Sequence, residues 1–219
     1  MKPLGSWTSA YRKALMTTIL HLSFSPRGLD AESHRLSQRI VDHLLARRPG
    51  ATVNQRLMGG ETLPPIDAAY AISQGSAENV SREGSMIRSE AMIRELEQAD
   101  LVVIGTPMHN MTVPAALKSW IDHVVRVRRT FDISPAGKVG LLDDRPVFFA
   151  VASGGRITGE RARQPDFLMP YLRAVLGTVG LHDLTFFAVE GTGAGVEAVI
   201  EARVKVEADL VRYFSATSE

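Results

Sequence analysis

Three short segments carry residues whose types and spacing suit ligand chemistry. The first, Ser25-Pro26-Arg27-Gly28-Leu29-Asp30-Ala31-Glu32-Ser33, offers hydroxyls at Ser25 and Ser33 and backbone N–H groups where a helix would begin. A helix N-terminus carries unpaired donors and a positive partial charge, so it suits a phosphate. Serine is also a common helix cap. On this loop alone, capping and anion binding are equally good readings of Ser33. The segment has neither the Gly-x-Gly-x-x-Gly of dinucleotide sites nor the Gly-Lys-Ser/Thr of a Walker A loop, so a monophosphate fits better than a pyrophosphate or a triphosphate.

The second segment runs from Thr106 through Pro107-Met108-His109-Asn110-Met111 to Pro114. It places the Asn110 side chain and polar backbone among flexible apolar groups, which suits a flat heteroaromatic ligand. His109 has the chemistry of a general acid, but no carboxylate in the sequence stands ready to orient it. Packing against a ligand or facing solvent is the commoner lot of such a histidine. The third segment is Ser153-Gly154-Gly155-Arg156. Paired glycines let backbone N–H groups approach a ligand edge, although a plain turn accounts for them as well.

All three follow apolar runs that read as buried strands. Thr17–Ser23, Leu101–Thr106, Arg145–Ala152 and Asp183–Val189 are nearly continuous in hydrophobicity, and Ala51–Leu57 reads as an outer strand. Helical spacing predicts Ser33–Arg47, Glu83–Ala99, Pro114–Arg128, Pro165–Leu176 and Val196–Phe214. Gly59–Ser81 is rich in Gly, Pro, Ser and Asn and reads as a long loop with one helical turn at most. Strands alternating with helices, and apolar throughout, predict an α/β fold with a parallel sheet covered on both faces. Ligands in such sheets bind beyond the carboxyl ends of the strands, where the strand order reverses. That edge is where the three segments fall.

Composition narrows the chemistry. The 219 residues suit one α/β domain, and 25 basic against 24 acidic residues leave no field that singles out nucleic acid or an anionic membrane. The absence of cysteine rules out disulfides, thiolate metal sites and thiol nucleophiles, and it fits a cytoplasmic location. No apolar run approaches the roughly 20 residues that span a bilayer. Residues 1–15 read as a flexible N-terminal extension, with Met16 near the start of a single domain spanning 16–219. The basic run Arg126, Arg128, Arg129 reads as a solvated helix end or, less often, as a phosphate grip. The apolar content of Ser119–Phe131 fits an interface or ordinary core.

These motifs, in this order, resemble the FMN-dependent NADH azoreductases, also called NADH:quinone oxidoreductases. The resemblance rests on Ser25-Pro26-Arg27-Gly28, Ser33, Pro107-Met108-His109-Asn110 with Leu117-Lys118, Ser153-Gly154-Gly155, Pro170-Tyr171-Leu172, Leu176-Gly177 and Glu190-Gly191, and it extends from about Met16 to the C-terminus. It implies the flavodoxin-like fold, a five-stranded parallel sheet in order 2-1-3-4-5 with helices on both faces. It also implies a homodimer with the flavin at the subunit interface, NADH (or NADPH) as co-substrate, and a quinone or azo compound as acceptor in a two-step exchange. Carried over by position, Ser25 and Ala31, Glu32 and Ser33 hold the FMN phosphate. Met108, His109, Asn110 and Met111 line the isoalloxazine, with Asn110 at its polar edge; the general-acid reading of His109 comes from the residue itself and not from the resemblance. Ser153, Gly154 and Gly155 donate from their backbone to its pyrimidine end.

This chain departs from the family at His109 and Met111, where Tyr and Phe are common, and at Ile133 and Thr178, where some members place aromatics over the pocket. Its Ser-Gly-Gly is also shorter than the family's Ser-Arg-Gly-Gly. These changes bear on the acceptor more than on the flavin. The competing readings are a flavodoxin-type electron carrier, which the balanced charge disfavours, and a flavin-binding redox sensor without turnover.

Overall fold

A computed structural model describes residues 17–59, 63–75, 84–160 and 162–216. The expected extension at residues 1–15 lies outside them. Five strands form one parallel sheet: β1 (Thr18–Ser23), β2 (Thr52–Leu57), β3 (Leu101–Pro107), β6 (Val147–Ser153) and β7 (Leu184–Glu190), in the order β2-β1-β3-β6-β7. This is the expected 2-1-3-4-5 order, once the two strands of a separate hairpin are set aside.

Side-chain alternation decides which helices cover which face. Leu101 and Val103 of β3, with Ile19, Phe148, Ala150, Phe187 and Val189, point to one side. There they meet Leu36, Ile40, Val41 and Leu44 of α1 (Glu32–Arg47) and Val206, Leu210 and Phe214 of α6 (Val196–Ala216). Val102 and Ile104, with Leu20, Leu22, Phe149 and Val151, point to the other side. That face is covered by α3 (Gly84–Gln98), α4 (Ala115–Val124) and α5 (Met169–Val179). Both faces of the central strands are therefore buried, which is why their sequences are apolar without a break. The outer strand β2 is exposed along its length.

Several boundaries differ from the sequence expectation, each for a local reason. The helix expected over Pro114–Arg128 stops at Val124, because the Thr130 hydroxyl donates to the Val124 carbonyl at 2.6 Å and accepts from the Arg126 N–H at 2.9 Å. The helix expected from Pro165 begins at Met169, since the Asp166 carboxylate accepts from the N–H groups of Leu168 and Met169. It runs on through Gly177 to Val179 and ends at Gly180, in a left-handed conformation. Within the expected long loop, Ala68–Gly75 forms a short helix, α2, capped by Asp67 and anchored by the buried ring of Tyr70.

A hairpin that the sequence did not announce, β4 (Phe131–Ser134) with β5 (Gly137–Gly140), follows α4. In the basic run beside it Arg128 is exposed, but Arg126 and Arg129 are not a solvated end. Arg126 is buried and paired to Glu90 at 2.6 Å, and Arg129 is paired to Glu90 and Glu97. This network bolts the turn after α4 onto α3. Trp120, Ile121, Val124 and Phe131 are core residues. No helix among the described residues is long and apolar enough to cross a membrane.

Candidate functional site

The parallel register brings the three segments together. Ser23 pairs with Gly105, and Pro107 with Ala152, so the loops after β1, β3 and β6 leave the sheet side by side. Backbone bonds stitch them: Phe24 N–H to the Gly105 carbonyl at 2.8 Å, and Met108 N–H to the Ala152 carbonyl at 2.8 Å.

In the first loop, a 3₁₀ turn at Gly28–Asp30 leads into α1. The N-cap of α1 is Ala31, with extended backbone and no side-chain cap. Ser33 therefore caps nothing. Its hydroxyl is buried and has no hydrogen-bond partner among the described residues, which an ordinary buried serine does not tolerate without cost. The first intrahelical bond is from Arg35 N–H to the Ala31 carbonyl, which leaves the N–H groups of the first turn pointing along the helix axis. Ser25 Oγ is buried at the start of the same loop and accepts the Arg27 N–H at 3.3 Å. Gly105 makes the packing possible: a Cβ there would lie 2.8 Å from both the Ser33 carbonyl oxygen and Ser37 Oγ. Glu32 points elsewhere. Its carboxylate pairs with Arg203 on α6, whose hydrogen bond holds it below the usual range, so among the loop groups it offers only its backbone N–H. Arg27 and Arg35 act on the Glu32 carboxylate as well and add positive potential at this helix end.

In the second loop the backbone is strained. His109 and Thr112 exchange two 3.0 Å hydrogen bonds around Asn110 and Met111, whose φ values are 48° and 69°. Two positive φ values in a two-residue turn suit Asn-Gly far better than Asn-Met, and such strain concentrates at functional sites. His109, Asn110 and Met111 are all exposed, whereas Met108 is buried beneath them.

The third loop is held from behind. The carbonyls of Ser153, Gly154 and Gly155 accept from the Thr192 hydroxyl and from the N–H groups of Gly193 and Gly191, at 3.0 to 3.2 Å. The N–H groups of Gly154 and Gly155 have no partner among the described residues, and this loop therefore presents donors at the sheet edge.

A family model described as the flavodoxin-like fold matches residues 17–214. An FMN-dependent NADH:quinone oxidoreductase of Pseudomonas fluorescens is 47% identical over 184 residues, covering 84% of this chain and 89% of the relative. One from Burkholderia lata is 44% identical over 187 residues, covering 85% and 91%. The chain belongs to the flavodoxin-like family of FMN-dependent NADH:quinone oxidoreductases. Its backbone also matches an FMN-dependent NADH-azoreductase of Bacillus anthracis solved in complex with FMN, with a TM-score of 0.73 at 25% identity over 90% of this chain and 99% of that one. A second Bacillus anthracis azoreductase structure, at 22% identity and a TM-score of 0.77 over 91% of this chain and 99% of that one, shares the fold.

The residues present fit the family's cofactor. An uncapped helix end with an orphaned serine hydroxyl suits a phosphate, and a row of free N–H groups suits the carbonyl edge of a flavin. Two family positions fall elsewhere. Ile133, on β4, is 70% exposed, and Thr178 lies in the last turn of α5. Leu142, just past the hairpin, donates to the Val179 carbonyl and leads to the start of β6, so both lie toward the amino-terminal sheet edge, away from the three loops of their own chain. The sequence reading missed Thr192 and Gly193, which tie back the third loop. It also missed Gln164, whose amide reaches Ser153 and Met108. Neither has a local signal, because each acts across a gap in the chain.

Proposed function

We propose that this chain is an FMN-dependent oxidoreductase that uses NADH to reduce quinones and azo compounds, with the reductant leaving before the acceptor enters the same face. The observation that carries this reading is the cradle at α1: Ala31 in the N-cap position and the Ser33 hydroxyl buried without a partner among the described residues. The chemistry supplied by bound FMN is acceptance of a hydride from NADH, followed by two-electron reduction of the acceptor.

The residues of the chain position and polarise. Ser25, Ser33 and the backbone N–H groups of Glu32 and Ser33 hold the phosphate. Met108 and the strained pair Asn110 and Met111 form the surface against the ring, with the Asn110 amide at its polar edge. The N–H groups of Gly154 and Gly155 would donate to the pyrimidine end of the bound ring and so stabilise negative charge there. His109, exposed on the same turn, passes a proton to the acceptor. With methionine and histidine in place of two aromatics, the pocket favours acceptors that need less stacking.

The protein acts as a homodimer in the cytoplasm. The remoteness of Ile133 and Thr178 from the loops of their own chain supports this, since they meet a flavin only across a subunit boundary. The domain spans residues 16–219, preceded by an extension that catalysis does not need.

The test is direct. The purified protein is expected to be yellow, or to take up FMN, and to bleach at a catalytic rate when mixed with NADH without oxygen. Quinones and azo dyes should then restore the colour. A protein that takes up no FMN overturns the reading, and one that binds FMN but is not bleached by NADH is a carrier or sensor instead.

A further inference from the structure

The pyrimidine edge of an isoalloxazine alternates acceptor, donor, acceptor: O2, N3–H, O4. A protein edge that complements it must alternate donor, acceptor, donor. The third loop supplies donors in the N–H groups of Gly154 and Gly155. Its carbonyls at Ser153, Gly154 and Gly155 are each engaged from behind, by Thr192, Gly193 and Gly191, so a side chain is the ready source of the acceptor. An N3–H left without a partner in a water-excluded site forfeits a hydrogen bond that water had provided.

Gln164 stands where the missing acceptor is needed. Its Nε2 donates to Ser153 Oγ at 3.2 Å and to Met108 Sδ at 3.2 Å, two groups at the ends of β6 and β3. The Ser153 hydroxyl in turn points to Met108 Sδ at 3.8 Å. Those contacts fix the amide plane and turn Oε1 toward Gly155, where a Cβ would lie 2.5 Å from it. The glutamine oxygen thus lies over Gly155, in the space a Cβ would share. Oε1 accepts from no described residue. Three residues further on, the Phe167 N–H donates to the Met111 carbonyl at 3.1 Å, so the segment carrying Gln164 is pinned to the second loop as well as to the third.

We propose that Gln164 is a flavin-recognition residue, its side-chain carbonyl accepting the N3–H of the isoalloxazine between the donors of Gly154 and Gly155. The inference rests on the flavin reading above and adds a contact that selects for the unsubstituted pyrimidine ring.

The experiment compares FMN with 3-methyl-FMN, which lacks the N3–H. The full-length chain is freed of flavin, its fold is checked by circular dichroism, and each flavin is titrated by fluorescence quenching. Wild type is expected to bind FMN about tenfold more tightly than the methylated analogue, the worth of one buried hydrogen bond. Gln164→Leu is expected to bind the two alike, and Gln164→Glu, which keeps an acceptor, to discriminate again. Full discrimination surviving in Gln164→Leu overturns the proposal. If Gln164→Leu does not fold, Gln164→Glu decides it, and loss of discrimination there overturns it. A wild-type chain that binds neither flavin overturns the flavin reading itself, whereas one that binds both with equal affinity overturns only the role of Gln164.

Discussion

Glu190 grips Thr158 twice: its carboxylate accepts the Thr158 hydroxyl at 2.5 Å and the Thr158 N–H at 3.2 Å. A third bond, from the Ile157 N–H at 3.0 Å, closes the clamp. The end of β7 thereby fixes the course of the chain just after Gly154 and Gly155. Glu190→Ala is expected to loosen this loop, costing about 1–3 kcal/mol of stability for three lost bonds to a charged acceptor. FMN affinity should fall with it. Thermal unfolding and flavin titration check both, and Glu190→Gln should recover part of each.

Ser33 offers a cleaner separation of binding from folding. Its hydroxyl has no partner in the free chain, so Ser33→Ala removes an unsatisfied group and should leave the melting temperature of the flavin-free protein unchanged or slightly raised. The same change should weaken FMN binding by about 1–2 kcal/mol, since a hydrogen bond to a charged phosphate is lost. Ser25→Asp should weaken it further, through like-charge repulsion. Unchanged retention in both variants would place the phosphate elsewhere.

Met111, at φ 69°, tests the strain in the second loop. Met111→Gly relieves a left-handed side chain while freeing the unfolded chain, and these effects nearly cancel, so stability should move by less than about 1 kcal/mol. Met111→Val places a β-branched residue there and should cost about 1–2 kcal/mol. Equal melting temperatures for the two would show that the turn is not strained.

For His109, the expected signature is a change of pH profile rather than loss of cofactor. His109→Gln should retain FMN and NADH oxidation, and change the rate and pH dependence of acceptor reduction. If turnover and its pH profile are the same in the variant, the proton comes from water.

Acid stability follows from a histidine buried under α1. His21 is fully enclosed, bonded to Ser37 at 2.7 Å and to Gln55 at 3.2 Å, and stacked on His34. Burial first, and the neighbouring His34 second, push its pKa down to about 4, while Asp42 pulls weakly the other way. Burial lowers His34 too. Below the ordinary histidine value near 6.5, the unfolded chain takes up a proton that folded His21 refuses. Stability is therefore full above about pH 6.5 and falls as the pH drops toward 4, by about 3 kcal/mol for His21. Melting temperatures across this window check the slope, which His21→Gln should flatten.

The sheet was legible because burial writes itself into β1, β3 and β6, and more weakly into β7, as nearly continuous apolar runs. The three loops at the carboxyl edge were legible from their position after those runs. What escaped depends on distance. Phe131-Asp132-Ile133-Ser134 and Gly137-Lys138-Val139-Gly140 are too short and too weakly alternating to announce a hairpin, and α2 needs Tyr70 to find its socket against α4, where its hydroxyl donates to the Asp122 carbonyl. Between cap and anion site the sequence left Ser33 open, and only the backbone shows that Ala31 holds the cap position. Arg126 and Arg129 looked solvated because Glu90 and Glu97, their partners, lie more than 30 residues away.

Of the two outer strands of the sheet, β2 is the more exposed. β2 pairs with β1 alone, and its outer backbone groups face water as a ready template for another extended chain. Its sequence, Thr-Val-Asn-Gln-Arg-Leu, answers that hazard with chemistry: Asn54, Gln55 and Arg56 interrupt what would otherwise be an adhesive ribbon, and Arg56 is held by Glu95 of α3. The polarity that made this strand the hardest of the five to recognise is what keeps the protein from growing into a longer sheet.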